Sequence, residues 1–424
     1  MPPTSLSTRL TMACVCLTAW GLAVPAAEEE ALKADGQFVA GKIRYAGGAW
    51  SVGESKLAAR DVVVLHFTEF PPPERIPTGV FVRGGTLIAG TLDSFIGDDA
   101  TVNTSSLSVQ IKIKKEELAG AFFSLPTGAK ENFSALARYG LLLASLAESP
   151  GDGETNGGAA GTRIFPGRRD RVTYQNLDGI DGQAIRLGTD KVWVNKPGGK
   201  LDTPNRDVVR LIERKVEPLA PGKDTGPELF VRLKAGDVIR GRIQKLDDKS
   251  MTLATSFAGN LELPRETLAA AYSSGAPGGG LRWLSAQVPT LSKHTPVFDA
   301  DFPAKANLSC SGRLMQMAGR VCDRGVGVHS KSDLAYKIEG KPGQKFFALA
   351  GLDDGAAGKG QAEAKVFVDG KEAWKVVLKH GAAPVPVSVD LGAAKELKLV
   401  VEYGPDQDDG GDHVNWGWAA LMEK

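Results

Sequence analysis

The feature that most constrains the fold of this 424-residue chain is a short motif that recurs four times between residues 35 and 273. Each copy has a glycine turn, a strand that passes a second glycine, a polar turn, an alternating strand, and a charged turn before an apolar strand. The copies open at residues 35–43, 84–92, 178–185 and 235–243, the third with a shorter step between its glycines. Glycine and aspartate allow tight turns, and apolar residues at alternate positions bury one face of a strand. The pattern predicts a mainly β protein.

Each copy is too small to bury a core as an open sheet, so it must curl into a barrel or pack on its neighbours. The pattern resembles the small SH3-like or Sm-like barrels of exported bacterial proteins. We predict two such units over residues 28–124 and two more over 162–273. Between them, at 125–161, a helical spacing of apolar residues over 130–148 predicts an amphipathic helix, and the Gly-rich stretch 150–161 predicts a linker. One irregular β-domain without true repeats is the alternative.

Residues 1–27 have the layout of a secretory signal peptide. Arg9 precedes an apolar run at 10–24, and the small residues Ala26 and Ala27 stand before an acidic stretch. The run is short for a membrane span, which needs about 20 apolar residues, so we predict cleavage near Ala26 or Ala27 rather than an uncleaved anchor. No later segment is long and apolar enough to span a membrane. The protein is therefore predicted to be secreted, or to stay in the periplasm or cell envelope.

Two of the four cysteines, Cys14 and Cys16, fall within the predicted signal. Cys310 and Cys322 remain as an even pair in a chain expected to reach an oxidising compartment, which predicts a disulfide. Two buried free thiols are the alternative.

Several classes of function find no support in the residues. A net charge of +1 gives no case for a nucleic-acid partner, which requires a clustered basic surface. The chain lacks the Gly-x-Ser-x-Gly and His-Glu-x-x-His motifs of hydrolases. Residues 36–42 read Gly-x-x-x-x-Gly-Lys, but Ile43 stands where a phosphate-binding loop needs Ser or Thr. We predict a protein that is not an enzyme and has no catalytic residues.

Carboxylates gather in two glycine-rich loops near the C terminus, at Asp353 and Asp354 and along residues 406–412. Such loops suit a structural calcium ion, which takes oxygen ligands in flexible geometry. Solvated acidic turns explain the same pattern.

The segment that follows, 412–418, sets polar side chains beside two indoles. Sugar sites combine an aromatic face with hydrogen-bonding groups for the hydroxyls. The alternation of a strand places Trp416 and Trp418 on one face, which favours a core position for at least one of them.

Five ordered blocks carry a resemblance to a known family. They lie at residues 320–330, 347–355, 365–371, 392–400 and 411–421. From about residue 281 to 424 the chain resembles the NPCBM family of carbohydrate-binding modules, which also occurs beside glycoside hydrolases of family 98. The resemblance implies a galactose-binding-like jelly-roll β-sandwich and recognition of a glycan or polysaccharide. Asn415 stands where the family usually has Asp.

The combined prediction is a secreted, non-catalytic carbohydrate-binding protein. The alternative is a structural or protein–protein interaction adaptor at the cell envelope, with envelope proteins as partners. If sugar binds, the candidate residues belong to the two acidic loops and the segment beside them; they are Asp353, Asp354, Asp412, His413, Asn415 and Trp416.

Overall fold

A computed structural model describes two large regions of the chain, one on each side of residue 280. The described residues are 29–68, 76, 78–96, 98–107, 110–123, 170–176, 178–196, 198–214, 227–275, 280–296, 301–356 and 360–423. The predicted signal at 1–27, the predicted helix at 130–148 and the predicted linker at 150–161 lie outside them. Within the described residues, no helix combines the length and hydropathy that crossing a membrane requires.

The described part of the N-terminal region contains four β-units, as the repeat predicts. Unit 1 consists of β1 (Glu30–Lys33), β2 (Phe38–Ala40), β3 (Ile43–Ala46), β4 (Ala49–Val52), β5 (Ser55–Ala58), the 3-10 turn η1 (Ala59–Asp61) and β6 (Val62–His66). Unit 2 consists of β7 (Gly79–Val82), β8 (Thr86–Ile96), β9 (Asp99–Thr104), β10 (Gln110–Lys114) and β11 (Leu118–Phe122). Unit 3 consists of β12 (Asp170–Tyr174), β13 (Gly179–Leu187), β14 (Val192–Asn195), β15 (Leu201–Asp202), η2 (Arg206–Val208) and β16 (Val209–Glu213). Unit 4 consists of β17 (Glu228–Leu233), β18 (Val238–Leu246), β19 (Ser250–Thr255), β20 (Gly259–Pro264), η3 (Arg265–Thr267) and β21 (Leu268–Ser273).

All four units share one topology. In each, the first strand pairs antiparallel with both the second and the last strand, so the sheet curls toward closure. The first hairpin keeps the same register: Val231 opposes Ile239 in unit 4, as Val172 opposes Ile180 in unit 3. The predicted tandem of small SH3-like or Sm-like units is confirmed.

The units do not associate in chain order. The last strands of units 1 and 4 pair, β6 with β21, and so do those of units 2 and 3, β11 with β16. Units 4 and 2 meet where Val238 opposes Leu87. The spatial order is therefore 1–4–2–3, with units 1 and 3 at the two ends.

The C-terminal region is a two-layer antiparallel sandwich, which confirms the predicted β-sandwich. Its strands are β22 (Leu281–Trp283), β23 (Leu291–His294), β24 (Lys305–Ala306), β25 (Met315–Met317), β26 (Arg320–Cys322), β27 (Gly325–His329), β28 (Ser332–Lys337), β29 (Lys345–Leu352), β30 (Gln361–Val368), β31 (Lys371–Lys379), β32 (Val385–Asp390), β33 (Glu396–Tyr403) and β34 (His413–Met422), with the 3-10 turn η4 (Leu284–Ala286) after β22. One sheet has the order β24-β27-β34-β29-β32 with β22 beside β34, and the other has β23-β28-β33-β30-β31. Phe346 and Trp416 from the first sheet pack against Leu334, Val366 and Leu399 from the second.

A second apolar core joins the sandwich to the barrel-like units. The ring of Tyr272 in unit 4 lies 5.2 Å from that of Trp418 and 6.3 Å from that of Trp283. Arg232 Nε of unit 4 forms an ion pair with Asp323 Oδ2 at 3.0 Å, and both side chains are largely buried. Arg320 likewise pairs with Glu30 of unit 1. The two regions thus share apolar and charged contacts.

The predicted disulfide is corrected by the structure. Cys310 and Cys322 are both buried free thiols. Cys322 ends β26 with its Sγ against Gly417, in the core shared with the barrel-like units, whereas Cys310 lies in the turn that Lys305 Nζ closes by donating to its carbonyl. The two cysteines serve two separate packing environments.

Candidate functional site

Three histidines and one phenylalanine come together at one end of the sandwich. His329 ends β27 and His413 begins the neighbouring β34, so the antiparallel register sets them opposite each other. His294 ends β23 in the other sheet, and Phe302 follows on the next connection. We name this cluster of His294, Phe302, His329 and His413 the histidine end.

The rings of the histidine end are in direct contact. Phe302 stacks on His329 with centroids 4.6 Å apart and lies 5.5 Å from His413. His329 lies 5.3 Å from His413 and 5.6 Å from His294. Imidazoles at such distances repel when they are all protonated, which favours the neutral form.

Burial keeps two of these imidazoles neutral. It lowers the pKa of His329 to about 4, with the neighbouring His413 and His294 adding to the effect. Burial also lowers the pKa of His413. Since a neutral imidazole carries one N–H donor and one acceptor nitrogen, the cluster can both donate to and accept from hydroxyl groups.

Asp353 lies beside this cluster and is held by the protein itself. Its Oδ2 accepts a hydrogen bond of 2.7 Å from Asn415 Nδ2, and its Oδ1 accepts one of 3.0 Å from the Gly355 N–H. Burial raises the pKa of Asp353, while the Asn415 amide acts in the opposite direction. Asp353 therefore braces the loop after β29 against β34.

Asp412 is a buried carboxyl group of a different kind. It is fully inaccessible, and within the described residues neither carboxylate oxygen has a hydrogen bond of good geometry, although the Ser330 hydroxyl and the Gln361 backbone lie close enough to favour its charged form. Burial raises its pKa to about 7, and the negative charges of Asp406 and Asp409 add to the rise. The next residue is His413, and its Nδ1 also lacks a hydrogen-bond partner among the described residues.

Two of the predicted site residues have other tasks. Asp354 accepts hydrogen bonds of 2.7 and 2.8 Å from the N–H groups of Ala318 and Gly319, which holds the β25–β26 turn. Trp416 is fully buried in the core between the two sheets, beside Trp374, so its predicted role as a sugar-stacking face is corrected. Asp353, Asp412, His413 and Asn415 do come together.

The two indoles also lie on opposite sides of their sheet, contrary to the alternation expected from the sequence. Trp416 belongs to the core inside the sandwich and Trp418 to the core shared with the barrel-like units. The register of β34 against β29 shifts between Phe347 and Leu349, and Trp418 has φ +53°. A bulge inserts one extra residue and reverses the side-chain order beyond it.

Sequence reasoning did not identify His294, Phe302 or His329 as site residues. His329 lies inside the block at 320–330, so the resemblance contained one signal for it. His294 and Phe302 belong to the first described segments of the sandwich, outside the five blocks, and only the fold brings them to His413.

The described residues contain no preformed carboxylate cluster for the predicted calcium ion. Among the residues that the structure describes, no group of three or more His, Cys, Asp or Glu side chains has a geometry that could hold a metal ion. Asp412 is the fully buried carboxylate of the segment 406–412, and the Ser330 hydroxyl and the Gln361 backbone lie near it.

Comparison with known proteins adds the following similarities. Residues 282–422 match the family model of the NPCBM/NEW2 domain. A Renibacterium salmoninarum protein named "Putative endo-alpha-N-acetylgalactosaminidase" is 34% identical over 112 residues, which are 26% of this chain and 7% of that protein. A solved CBM51 of Clostridium perfringens GH95, in complex with methyl-galactose, is 24% identical over 34% of this chain and 99% of its own, with a TM-score of 0.30. Tandem CBM51 modules of a family 98 glycoside hydrolase from Streptococcus pneumoniae are 12% identical, cover 47% of this chain and 71% of their own, and have a TM-score of 0.31.

Proposed function

Because residues 282–422 form an NPCBM/NEW2 domain, a carbohydrate-binding module, we propose that this protein binds a glycan through the histidine end of its sandwich. The proposal includes export and the lack of catalytic activity. The observation that carries it is the cluster of three imidazoles around Phe302, with His413 Nδ1 left open.

The chemistry of the cluster suits a sugar. The neutral imidazoles of His329 and His413 each have one donor and one acceptor nitrogen, as a hydroxyl group has both functions, and the half-buried Phe302 offers an apolar ring face. Protein sites that orient a small ligand combine a few convergent polar groups with an apolar wall. The histidine end has both components within 6.2 Å between ring centroids.

A binding role rather than hydrolysis is supported by the state of the carboxyl groups. Glycoside hydrolysis commonly uses two carboxyl groups that flank the scissile bond. Here Asp353 is committed to hydrogen bonds with Asn415 and Gly355, which leaves Asp412 without a free partner carboxylate in the described cluster. The hydrolase named among the relatives shares only 7% of its length with this chain.

The test is a glycan array on the whole protein, followed by titration calorimetry with the best ligand. We expect His413→Ala and Phe302→Ala to weaken the Kd at least tenfold. Lys337→Ala, an exposed change at the end of β28 opposite to the residue that pairs with His294, should leave the Kd unchanged. Unaltered thermal unfolding would show that each variant is folded.

Two results would reject the proposal. One is a flat array together with flat calorimetry, especially if a pull-down recovers an envelope protein. The other is release of reducing ends from the bound glycan by the protein. Export is tested separately by mass spectrometry of the protein from culture medium and periplasm, where a chain that still begins at Met1 would contradict signal cleavage.

A further inference from the structure

Units 2 and 4 contact each other through two equivalent hydrogen bonds, one in each direction. Asp237 Oδ1 of unit 4 accepts a hydrogen bond of 2.8 Å from the Ala89 N–H of unit 2. In return, Thr86 Oγ1 of unit 2 accepts one of 2.9 Å from the Arg240 N–H of unit 4. In the aligned repeats Thr86 corresponds to Asp237 and Ala89 to Arg240, so each unit supplies one acceptor side chain and one backbone donor.

The contact buries both acceptors. Asp237 is 0% exposed and Thr86 is 1% exposed, and Leu87 lies opposite Val238 at the centre of the exchange. Three repeat positions form this surface, namely the acceptor, the central residue and the donor. We call the surface the exchange face of a unit.

The exchange face of unit 1 is in contact with the sandwich. Gly36, beside its acceptor position, lies against Phe347 and Pro386, and the Arg320 guanidinium lies 4.6 Å from the ring of Phe38 at its central position.

The exchange face of unit 3 has the same geometry and is exposed. The Tyr174 N–H donates to the Asp178 carbonyl at 2.8 Å, as the Leu233 N–H donates to the Asp237 carbonyl at 2.9 Å. Asp178 is thus the acceptor position, Gly179 the centre and Asp181 the donor. All three residues are exposed, whereas their counterparts in units 2 and 4 are buried, apart from the half-buried Arg240.

We propose that the exchange face of unit 3 docks on the same face of a second copy of this chain, with Gly179 opposite Gly179 on a two-fold axis. A two-fold contact requires a surface that is complementary to itself. Unit 3 meets this requirement, because each copy brings one Asp178 carboxylate for one Asp181 N–H. The Asp181 carboxylate is already paired with Arg171 at 2.8 Å, and Asp178 Oδ2 accepts a hydrogen bond of 2.7 Å from Asn176 Nδ2. Asp178 Oδ1 is therefore the acceptor for the contact, and the Asp178 charge has no ion-pair partner among the described residues. The dimer carries two histidine ends, although the docking does not depend on their ligand.

The first test is the mass of the protein from Glu28 onward, by sedimentation velocity over a range of concentrations and at two salt concentrations. We expect a monomer–dimer equilibrium that strengthens with salt, which screens the two Asp178 carboxylates. Asp178→Ala should weaken dimerisation at least tenfold. Asp190→Ala, an exposed change in the turn between β13 and β14, should not alter it.

The second test is a covalent trap. Gly179→Cys places two thiols across the axis, and the added side chain displaces the end of the Arg171 side chain, which pairs with Asp181. We expect a disulfide-linked dimer that forms much faster than with Asp190→Cys, and more slowly when Asp178→Ala is combined with Gly179→Cys. Cys310 and Cys322 are buried and do not compete.

A monomer at every concentration together with equal trapping of the two cysteine variants would overturn the proposal. Protection of the Asp181 amide from hydrogen exchange in a protein that stays monomeric would overturn it as well, because another segment of the same chain would then cover the face.

Discussion

Asn415 donates a hydrogen bond of 2.7 Å from its side-chain amide to Asp353 Oδ2, and both residues are almost fully buried. The bond joins the loop after β29 to β34 beside the histidine end. An amide at position 415 therefore allows Asp353 to be buried with a partner that carries no charge.

Replacing Asn415 with Asp would remove this donor and set a second carboxyl group against Asp353. We expect Asn415→Asp to lower the free energy of unfolding by about 3 kcal/mol at pH 8, because a buried hydrogen bond is lost and two like charges meet. The loss should shrink at pH 5, where the pair can share a proton. Urea unfolding at both pH values measures it. Gln407→Glu, an exposed change in the same region, serves as the control; an equal loss in both variants would contradict the argument.

Asp412 should make stability fall as the pH rises. Its pKa is about 7 in the folded protein and about 3.9 in an unfolded chain, so the folded state binds more protons between these values. The slope can reach about 1.4 kcal/mol per pH unit. Asp412→Asn removes the titration, so its stability relative to the natural protein should increase from pH 5 to pH 8. Urea midpoints across this range measure the difference, and parallel curves would contradict the prediction.

The same pair of proteins tests calcium. An ion bound by the Asp412 carboxylate would raise the melting temperature of the natural protein at pH 8 in millimolar calcium, and a chelator would reverse the rise. Asp412→Asn should show neither effect. Identical responses of the two proteins would assign any calcium effect to another site.

The Arg232–Asp323 ion pair should stabilise the junction between unit 4 and the sandwich only as long as both partners remain. Arg232→Ala leaves the Asp323 carboxylate buried without its nearest cation, at a cost of about 3–5 kcal/mol. The double change Arg232→Leu with Asp323→Leu should recover much of this loss. Guanidinium unfolding compares the three proteins. A double variant as unstable as Arg232→Ala would show that the loss comes from packing instead.

The two buried thiols should be unreactive in the folded protein. Burial raises the pKa of Cys310 to about 12 and raises that of Cys322 as well, which keeps both from forming the reactive thiolate. In a protein that begins at Glu28, a thiol reagent at pH 8 should titrate no groups before unfolding and two after it. Reaction of either thiol before unfolding would contradict the prediction.

Much of the fold could be predicted because local sequence patterns determine it. The glycine turns and alternating strands specify each hairpin, and all four units keep the register these patterns imply. The partners of each unit could not be predicted, since β6 and β21 are apolar strands that any of the units could accept. The pairing depends on contacts such as Asp237 with Ala89, which the residues alone do not distinguish from ordinary turns.

The candidate site was predicted in part for a similar reason. Asp353, Asp412, His413 and Asn415 stood out because loops with carboxylates beside indoles are visible in the sequence. Trp416 was wrongly predicted to contact sugar, because indoles occur both in sugar sites and in protein cores. The bulge at Trp418 broke the alternation that would have placed the two rings on one face.

Along the chain, the paired units 2 and 3 lie between the paired units 1 and 4. This arrangement sets an order in which the units can assemble during synthesis. β11 and β16 are available to each other as soon as residue 213 has left the ribosome, while β6 must wait for β21. The outer closure joins segments about 200 residues apart, and such distant contacts form slowly. Until then the apolar strand β6 has an unpaired edge, so the first unit remains open to pairing with other chains until the fourth has been synthesised.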